Sequence, residues 1–464
     1  MLVAILGGAS TLAFAPLHLS FILVPCFTIL LKLCENKSLY KVFTLSWVFG
    51  VFHFGISLHW IYFAFSIANL TYLGPFAVIG LAFLLGFFPA LTCVLTFFLS
   101  SSRVSRGFIF PCIWTVLELI RSYIFTGFPW NLIGYVWDLP MLQLTAWIGI
   151  YGLSFLTILT AVSFSTYSKK LIFFLTGIMA SLWCLGKYRL HHAPFLEHQG
   201  FNIRLVQASI PQNLKWLSEE QEKNILLYMA LSGLEGERPL KAIIWPEAAV
   251  TLPLNNNESL RNTLKSIVPK QGVLITGGIR LENPCLSAPQ IYNTLFILNE
   301  EGQITQFYDK KHLTPFGEYI PLRNVININK LTYGSIDYQA GTSLKVLDPK
   351  VLPPFQPIIC YEGIFPHQIL GRESQAQWLL SLTNDSWFGK SWGPHQHLSI
   401  VRVRAIEHGL PLIRATSNGI SAVIDSYGRI LHHLKSDEVG YIDFTLPKSL
   451  SYQTFYRKLL LKIG

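Results

Sequence analysis

The segment KAIIWPE at Lys241–Glu247 is the clearest sign of an α/β fold in the second half of this chain. Four apolar residues follow Lys241 without interruption, and the run ends at a proline and Glu247. A short continuous apolar run is typical of a strand that is buried on both faces. Because α/β folds place active sites at the ends of such strands, Glu247 is the first candidate functional residue.

The surrounding sequence alternates between apolar β runs and amphipathic helices, which predicts a layered α/β sheet. The predicted strands are Asn202–Ile210, Lys241–Pro246, Gly272–Leu281, Ile291–Leu298, Ile304–Tyr308, Gln356–Tyr361 and Trp378–Leu382. The predicted helices are Ser218–Leu234, Glu258–Val268 and His395–His408, and Leu412–Asp425 with Arg429–Leu434 is predicted to form a final hairpin. Pro321–Gly341 has no clear period and is a candidate active-site loop.

Two more reactive residues follow predicted strands. Lys310 comes after QFYD, and Cys360 comes after PII. A thiol is a weak nucleophile at neutral pH until a neighbour takes its proton or lowers its pKa. Glu247 can act as the base, and Lys310 can stabilise a thiolate or an oxyanion. Each residue alone also fits a plain structural role, as a capping glutamate, a solvated lysine or a buried cysteine.

The first part of the chain has the composition of a membrane domain. The whole chain is 51% hydrophobic and only 13% charged, whereas soluble domains carry roughly 25% charged residues. Charges are rare up to about Gly186, and a bilayer span needs about 20 apolar residues. We predict seven spans: Leu2–Ala15, His18–Leu31, Val42–Ile67, Leu73–Leu99, Gly107–Phe125, Leu142–Phe164 and Leu171–Gly186.

The positive charges between these spans predict the topology. Lys and Arg follow spans two, four and six, and none follows spans one, three and five. Because positive loops stay in the cytoplasm, the N-terminus is expected inside and everything after Gly186 outside, which in a bacterium is the periplasm. These loops also account for many of the cations behind the net charge of +10, and no Lys/Arg stripe indicates nucleic-acid binding.

Charged and sulfur-containing residues add two expectations. Glu118 and Arg121 lie in the fifth predicted span, and their i, i+3 spacing favours a mutual salt bridge. The seven cysteines form no disulfide framework and no zinc motif. Cys285 and Cys360 are the two in the second half, and we expect them to lie far apart and to stay reduced.

The order Glu, Lys, Cys in an α/β context resembles the nitrilase superfamily. The segments WPE at Trp245–Glu247, YDKKHLTPFGEYIPL at Tyr308–Leu322 and CYE at Cys360–Glu362 are similar to one branch, the apolipoprotein N-acyltransferases. The resemblance covers nearly the whole chain. It continues in QASIPQNLKW at Gln207–Trp216, YNTL at Tyr292–Leu295, LTNDSWFG at Leu382–Gly389, LAFAP at Leu12–Pro16 and TGFPW at Thr126–Trp130.

The resemblance implies a role for each matching residue. Glu247 would be the general base, Lys310 the oxyanion stabiliser and Cys360 the nucleophile. Glu318 and Glu362 would be further critical residues near this triad. The positions that would support the site are Trp216, Asn293 and Tyr361. No metal or organic cofactor would be required.

The implied fold is a multi-helix transmembrane domain plus an α/β nitrilase-like soluble domain, an α-β-β-α sandwich. We expect the transmembrane domain at residues 1–190, the catalytic domain at 200–450 and a short tail at 451–464. Members of the family usually end with another membrane helix, and Leu459–Gly464 is too short to span a bilayer.

The implied reaction transfers an acyl chain from a phospholipid, through a thioester on Cys360, to the N-terminal amine of a diacylated apolipoprotein at the bacterial inner membrane. One alternative is a membrane-anchored amidase or nitrilase that hydrolyses a small amide, for which seven spans would be superfluous. A transporter with a periplasmic domain is the other alternative, and the scarcity of buried charges in the membrane half argues against it.

Overall fold

A computed structural model describes residues 1–283, 289–325, 330–332, 334 and 336–463. It contains two compact units. The first comprises Met1–Ala193 and Lys390–Val403, and the second comprises Pro194–Gly389 and Arg404–Gly464. The segment Lys390–Val403 therefore belongs with the helical unit, although it lies within the sequence range expected for the catalytic domain.

The first unit is helical. Its helices up to Ala193 are α1 (Leu2–Ser10), α2 (Leu23–Cys34), α3 (Leu39–Ser57), α4 (Trp60–Ile67), α5 (Gly74–Leu99), α6 (Arg103–Arg121), α7 (Leu139–Leu142), α8 (Thr145–Thr166) and α9 (Lys169–His191). Polar caps set two of the starts. Ser102 and Ser105 form a reciprocal capping box at α6, and the hydroxyl of Ser168 caps α9.

Each of the seven predicted spans contains a helix, and their lengths differ. Within the described residues, four helical stretches are long and apolar enough to cross a membrane: Leu39–Ser57, Thr71–Leu99, Thr145–Thr166 and Lys169–His191. Leu2–Ala13 and Ser20–Cys34 are apolar but shorter. The number of crossings and their direction remain predictions.

The predicted bounds of the span Val42–Ile67 are wrong, because the chain breaks there into α3 and α4, and α3 by itself is long and apolar enough to cross a membrane. Leu58 has φ −98° and ψ 15°, outside the helical range. Aromatic contacts accompany the break, since His59 packs on Trp392 with ring centroids 5.7 Å apart and Trp60 packs on Trp130 at 4.8 Å. Because Val42–Ile67 contains no Asp, Glu, Lys or Arg, hydropathy gives no signal for such a break.

The predicted salt bridge between Glu118 and Arg121 is also wrong. Both residues lie in the described part of the chain, and no ion pair joins them there. Both residues are buried, and both bind the backbone of the loop after α6. Arg121 donates to the carbonyls of Phe128 at 2.8 Å and Trp130 at 2.6 Å. Glu118 accepts from the Ile133 amide at 2.8 Å. The two charges therefore hold this loop by satisfying backbone groups that could find no water in an apolar environment.

The second unit contains two β-sheets. Its strands are β1 (Glu197–Gln207), β2 (Ala242–Ile244), β3 (Val250–Pro253), β4 (Val273–Glu282), β5 (Gln290–Leu298), β6 (Ile304–Asp309), β7 (Phe355–Ile359), β8 (Trp378–Thr383), β9 (Leu412–Thr416), β10 (Ser421–Ile424), β11 (Ile430–Leu434) and β12 (Gly440–Pro447). One sheet has the order β12-β1-β2-β4-β5-β6, with β3 paired to β4. The other has the order β11-β10-β9-β8-β7.

The two sheets share a hydrophobic core. It joins residues of the first sheet, such as Leu205 and Ile275, to residues of the second, such as Leu380 and Ile413. Strands β1, β2 and β4 run parallel in the first sheet, and β7, β8 and β9 run parallel in the second. The carboxyl ends of parallel neighbours meet at one edge, which brings strand-end residues together.

Helices cover the outer face of the first sheet. A second apolar cluster joins this face to side chains of α11 (Ser218–Ser232) and α12 (Glu258–Leu264). The second unit also contains α10 (Gln212–Lys215) and α14 (Phe455–Ile463). Helix α13 (Gly393–His408) begins in the first unit and ends in the second. The predicted hairpin is confirmed, because β9, β10 and β11 pair antiparallel in sequence. Its place at the end of the fold is wrong, because β12 follows it and pairs with β1.

Candidate active site

Three candidate residues lie just beyond strand ends in the second unit. Glu247 follows β2 after Trp245 and Pro246, Lys310 directly follows β6, and Cys360 directly follows β7. The strands belong to both sheets, so the sandwich brings the three residues together. The electrostatic interaction of Cys360 with both Glu247 and Lys310 reflects this proximity.

The Lys310 ammonium lies between two carboxylates. Its Nζ is 2.8 Å from Oε2 of Glu318 and 3.6 Å from Oε1 of Glu247. The side chain is only 1% exposed. Burial by itself would lower the pKa of Lys310, but the two carboxylates outweigh burial and raise the pKa above its usual value. Lys310 is therefore a permanent cation in the resting site.

Asn293 connects the same two carboxylates. Its Nδ2 donates to Oε1 of Glu247 at 2.8 Å and to Oε1 of Glu318 at 2.7 Å. Glu318 also accepts from the Thr314 amide at 2.8 Å. Burial favours the neutral form of Glu318, but Lys310 and these donors outweigh burial and lower its pKa. Glu318 is therefore ionised and fixed in place.

One oxygen of Glu247 is available for proton transfer. Asn293 occupies Oε1, whereas the buried Oε2 accepts no hydrogen bond from any described residue. The backbone beneath Glu247 is tightly packed. A Cβ on Gly277 would lie 2.5 Å from the Pro246 carbonyl oxygen and 2.7 Å from the Glu247 Cα. Only glycine fits at position 277, which fixes the main chain that carries the carboxylate.

Cys360 adopts a strained backbone conformation. Its φ is +50°, in the left-handed region that only a few per cent of non-glycine residues occupy. The half-buried thiol also forms a hydrogen bond with the hydroxyl of Thr383. Burial and the negative charge of Glu247 raise the pKa of Cys360 to about 12, although Lys310 opposes them. The resting residue is therefore a thiol, and its attack on a substrate requires a base.

Glu362 organises the backbone on both sides of the site. Its Oε1 accepts from the Tyr308 hydroxyl and the Lys311 amide, both at 2.8 Å. Its Oε2 accepts from the Ile359 amide at 2.7 Å. Burial raises the pKa of Glu362, and the donors from Ile359 and Tyr308 oppose that rise. Glu362 thus connects the end of β6 to the end of β7.

The other predicted supporting residues pack around the site. Tyr361 forms an aromatic group with His312 and Phe365, with ring centroids 5.6 and 5.1 Å from its own. Trp216 packs on a small cluster that includes Leu313 and Tyr338. Cys285 lies outside the described residues, as do parts of the predicted loop Pro321–Gly341, so the expected separation of Cys285 from Cys360 remains a prediction.

Two residues of the site have no individual signal in the sequence. The Nζ of buried Lys215 donates to the main-chain carbonyl of Glu247 and to Oγ of Ser417, both at 2.9 Å. Ser417 donates to the same carbonyl at 2.9 Å. Lys215 lies inside QNLKW, one of the segments that carry the family resemblance, but nothing in its own spacing distinguishes it from a solvated lysine.

Residues 202–454, which include nearly all of the two sheets and all three strand-end residues, match the family model described as "Carbon-nitrogen hydrolase". Residues 6–163 match the model described as "Apolipoprotein N-acyltransferase N-terminal domain". A curated apolipoprotein N-acyltransferase from Rickettsia bellii is 37% identical, covering 98% of this chain and 92% of its own length. The chain belongs to the apolipoprotein N-acyltransferase family.

Other relatives and solved structures are similar to this chain. The apolipoprotein N-acyltransferase of Rickettsia typhi is 37% identical over 97% of this chain and 92% of its own length. The one from Bradyrhizobium diazoefficiens is 33% identical over 97% and 89%. Among solved structures, an amidase from Nesterenkonia sp. has a TM-score of 0.39 at 19% identity, covering 57% of this chain and 95% of its own. A CN-hydrolase superfamily protein from Xanthomonas campestris has a TM-score of 0.39 at 19% identity, covering 53% and 90%.

Proposed function

We propose that this chain transfers an acyl chain from a membrane phospholipid to the N-terminal amine of a diacylglyceryl-cysteine on apolipoproteins, with a thioester on Cys360 as the intermediate. Family membership supports the reaction class. The observation that carries the residue roles is the buried Lys310, held between Glu247 and Glu318 and within electrostatic range of the Cys360 thiol.

The first half-reaction loads the enzyme. Oε2 of Glu247 accepts the thiol proton as Sγ of Cys360 attacks the carbonyl carbon of the phospholipid sn-1 ester. The carbonyl oxygen of the ester becomes an oxyanion, which the Lys310 ammonium stabilises. When the tetrahedral intermediate collapses, the carbon–oxygen bond breaks and Glu247 returns its proton to the departing alkoxide. The products are lysophospholipid and an acyl thioester.

The second half-reaction uses the same groups. The α-amine of the diacylated cysteine attacks the thioester carbonyl, Glu247 accepts a proton from the amine, and Lys310 again stabilises the oxyanion. The carbon–sulfur bond then breaks, and Glu247 gives the proton to the departing sulfur. This regenerates the thiol and leaves an amide on the lipoprotein. Both substrates are lipids, which accords with four described helices long and apolar enough to cross a membrane.

We also propose that the second unit lies outside the cytoplasm, at the periplasmic face of the inner membrane. The distribution of Lys and Arg between the predicted spans supports this orientation. Apolipoproteins exported across the membrane would then meet the site directly.

Mass spectrometry tests the thioester. Purified protein incubated with phospholipid alone should gain an acyl adduct on Cys360 that hydroxylamine removes, because a thioester forms before any amine is present. Cys360→Ala should remain folded and gain no adduct. An adduct on another cysteine, or none in folded protein, would refute the mechanism.

A further inference from the structure

Lys215 is a second buried lysine in the active site. Its side chain lies at the end of the short helix α10 and is only 2% exposed. Its Nζ, Oγ of Ser417 and the main-chain oxygen of Glu247 are mutually within 2.9 Å. Two donors thus converge on the carbonyl of the residue that carries the catalytic carboxylate.

The carboxylates of the site attract a second cation besides Lys310. The carboxylates of Glu247 and Glu318 both lie against Lys310. Glu318 also attracts the buried Lys330, whereas Glu247 attracts Lys310 and Lys215. The charged and titratable groups that act on Lys215 are Glu247 and Cys360. Its other neighbour, Ser417, is neutral and forms a hydrogen bond with the buried Tyr228.

The pKa of Lys215 lies close to the physiological pH range. Burial lowers the pKa of its ammonium to about 8, and attraction to Glu247 and Cys360 opposes this effect. Lys215 is therefore a cation at neutral pH and loses its charge in mildly alkaline solution. Lys310, whose pKa is raised, keeps its charge throughout this range.

We propose that Lys215 is a positioning residue that holds the Glu247 main chain and supplies the second positive charge beside the base and the nucleophile. When the thiol proton passes to Glu247, the negative charge moves from the carboxylate to sulfur. Because the Lys215 ammonium attracts both groups, it stabilises the negative charge on the carboxylate and on the sulfur alike. This role rests on the assignments of Glu247 and Cys360 in the proposed function.

The test is the pH dependence of Cys360 alkylation. Full-length protein in detergent is treated with iodoacetamide, and the modified Cys360 peptide is quantified by mass spectrometry. Lys215→Met should react about tenfold more slowly than wild type at neutral pH, a displacement of about one pH unit, because a nearby cation stabilises the thiolate by about that much. The difference should shrink as the pH rises through about 8, where wild-type Lys215 loses its charge, and vanish in more alkaline solution.

Three further variants separate charge from structure. Ser417→Ala removes a hydrogen bond to the same carbonyl without removing a charge, so its rate should stay parallel to wild type through pH 8. Lys223→Met, at an exposed lysine, should match wild type. Lys215→Gln provides a second neutral variant, with folding of both checked by thermal denaturation.

The outcome decides the role of Lys215 independently of acyl transfer, because alkylation needs neither lipid nor lipoprotein. A rate difference that persists unchanged above pH 8, or no difference in folded protein, would overturn the proposal. If neither neutral variant folds, the pH profile of wild-type alkylation is the test. The alkylation rate should rise less steeply above pH about 8, because Lys215 loses its charge there. A uniform slope would overturn the proposal. Absence of acyl transfer would instead refute the proposed function.

Discussion

Lys310 and Lys311 are adjacent residues with opposite environments. The Lys310 side chain is buried between carboxylates, whereas Lys311 is exposed and contributes its backbone amide to Glu362. We predict that Lys310→Ala lowers thioester formation on Cys360 by at least about 100-fold, because an oxyanion donor of this kind contributes about that much. Lys311→Ala is the matched control and should retain thioester formation.

The measurement is the rate of acyl-adduct formation by each variant, with thermal denaturation to confirm folding. Loss of the adduct in Lys311→Ala together with its retention in Lys310→Ala would show that the wrong lysine has been assigned.

At the residue scale, the structure places Glu247, Lys310 and Cys360 just beyond the ends of strands, as the sequence predicts. Each of the three follows a predicted strand, and the family resemblance adds Glu318 and Asn293. Lys215 and Ser417 were missed because their role depends on contacts between segments about 200 residues apart in the chain. Burial of a lysine inside a polar segment leaves no local pattern that would distinguish it from a solvated one.

At the scale of secondary structure, Glu362 joins the ends of β6 and β7 through backbone hydrogen bonds. We predict that Glu362→Gln lowers the melting temperature by roughly 4–8 °C, because an amide group cannot accept from all the donors and leaves at least one buried donor unpaired. Acylation of Cys360 should fall as well, since both strand ends lose their anchor.

Glu373→Gln provides the control, because Glu373 is an exposed glutamate that follows β7 in the chain. Differential scanning fluorimetry of the two variants makes the comparison. Equal melting temperatures for Glu362→Gln and wild type would contradict the anchoring role.

Local pattern predicts most strands of the second unit but not how they end and pair. The central strands have strong apolar runs and lie near their predicted positions. The sequence gives no prediction for the short β3 or the final strand β12. Three of the four residues of β3 are only partly buried, and β12 completes the first sheet through pairing with the distant β1. In the first unit, the contacts that break α3 from α4 and bind Glu118 and Arg121 to a loop are tertiary, and hydropathy does not detect them.

The whole molecule combines a helical unit with a two-sheet catalytic unit, and the direction of insertion determines which compartment the site faces. We predict that a reporter active only in the periplasm is active when fused after Gly464 and inactive when inserted in the loop Lys32–Lys41. The physical reason is the retention of Lys/Arg-rich loops in the cytoplasm. A cytoplasm-specific reporter at the same two positions is the control, and the reverse pattern of activities would overturn the orientation.

Transfer of a labelled acyl chain tests the central claim most directly. The purified protein is incubated with a phospholipid that carries an alkyne-labelled sn-1 chain and with a diacylglyceryl-cysteine peptide, and Cys360→Ala is run in parallel. We predict that the label appears on the peptide α-amine as a hydroxylamine-stable amide with wild-type protein only. Release of the label as free fatty acid, with none on the peptide, would identify a hydrolase and contradict the account.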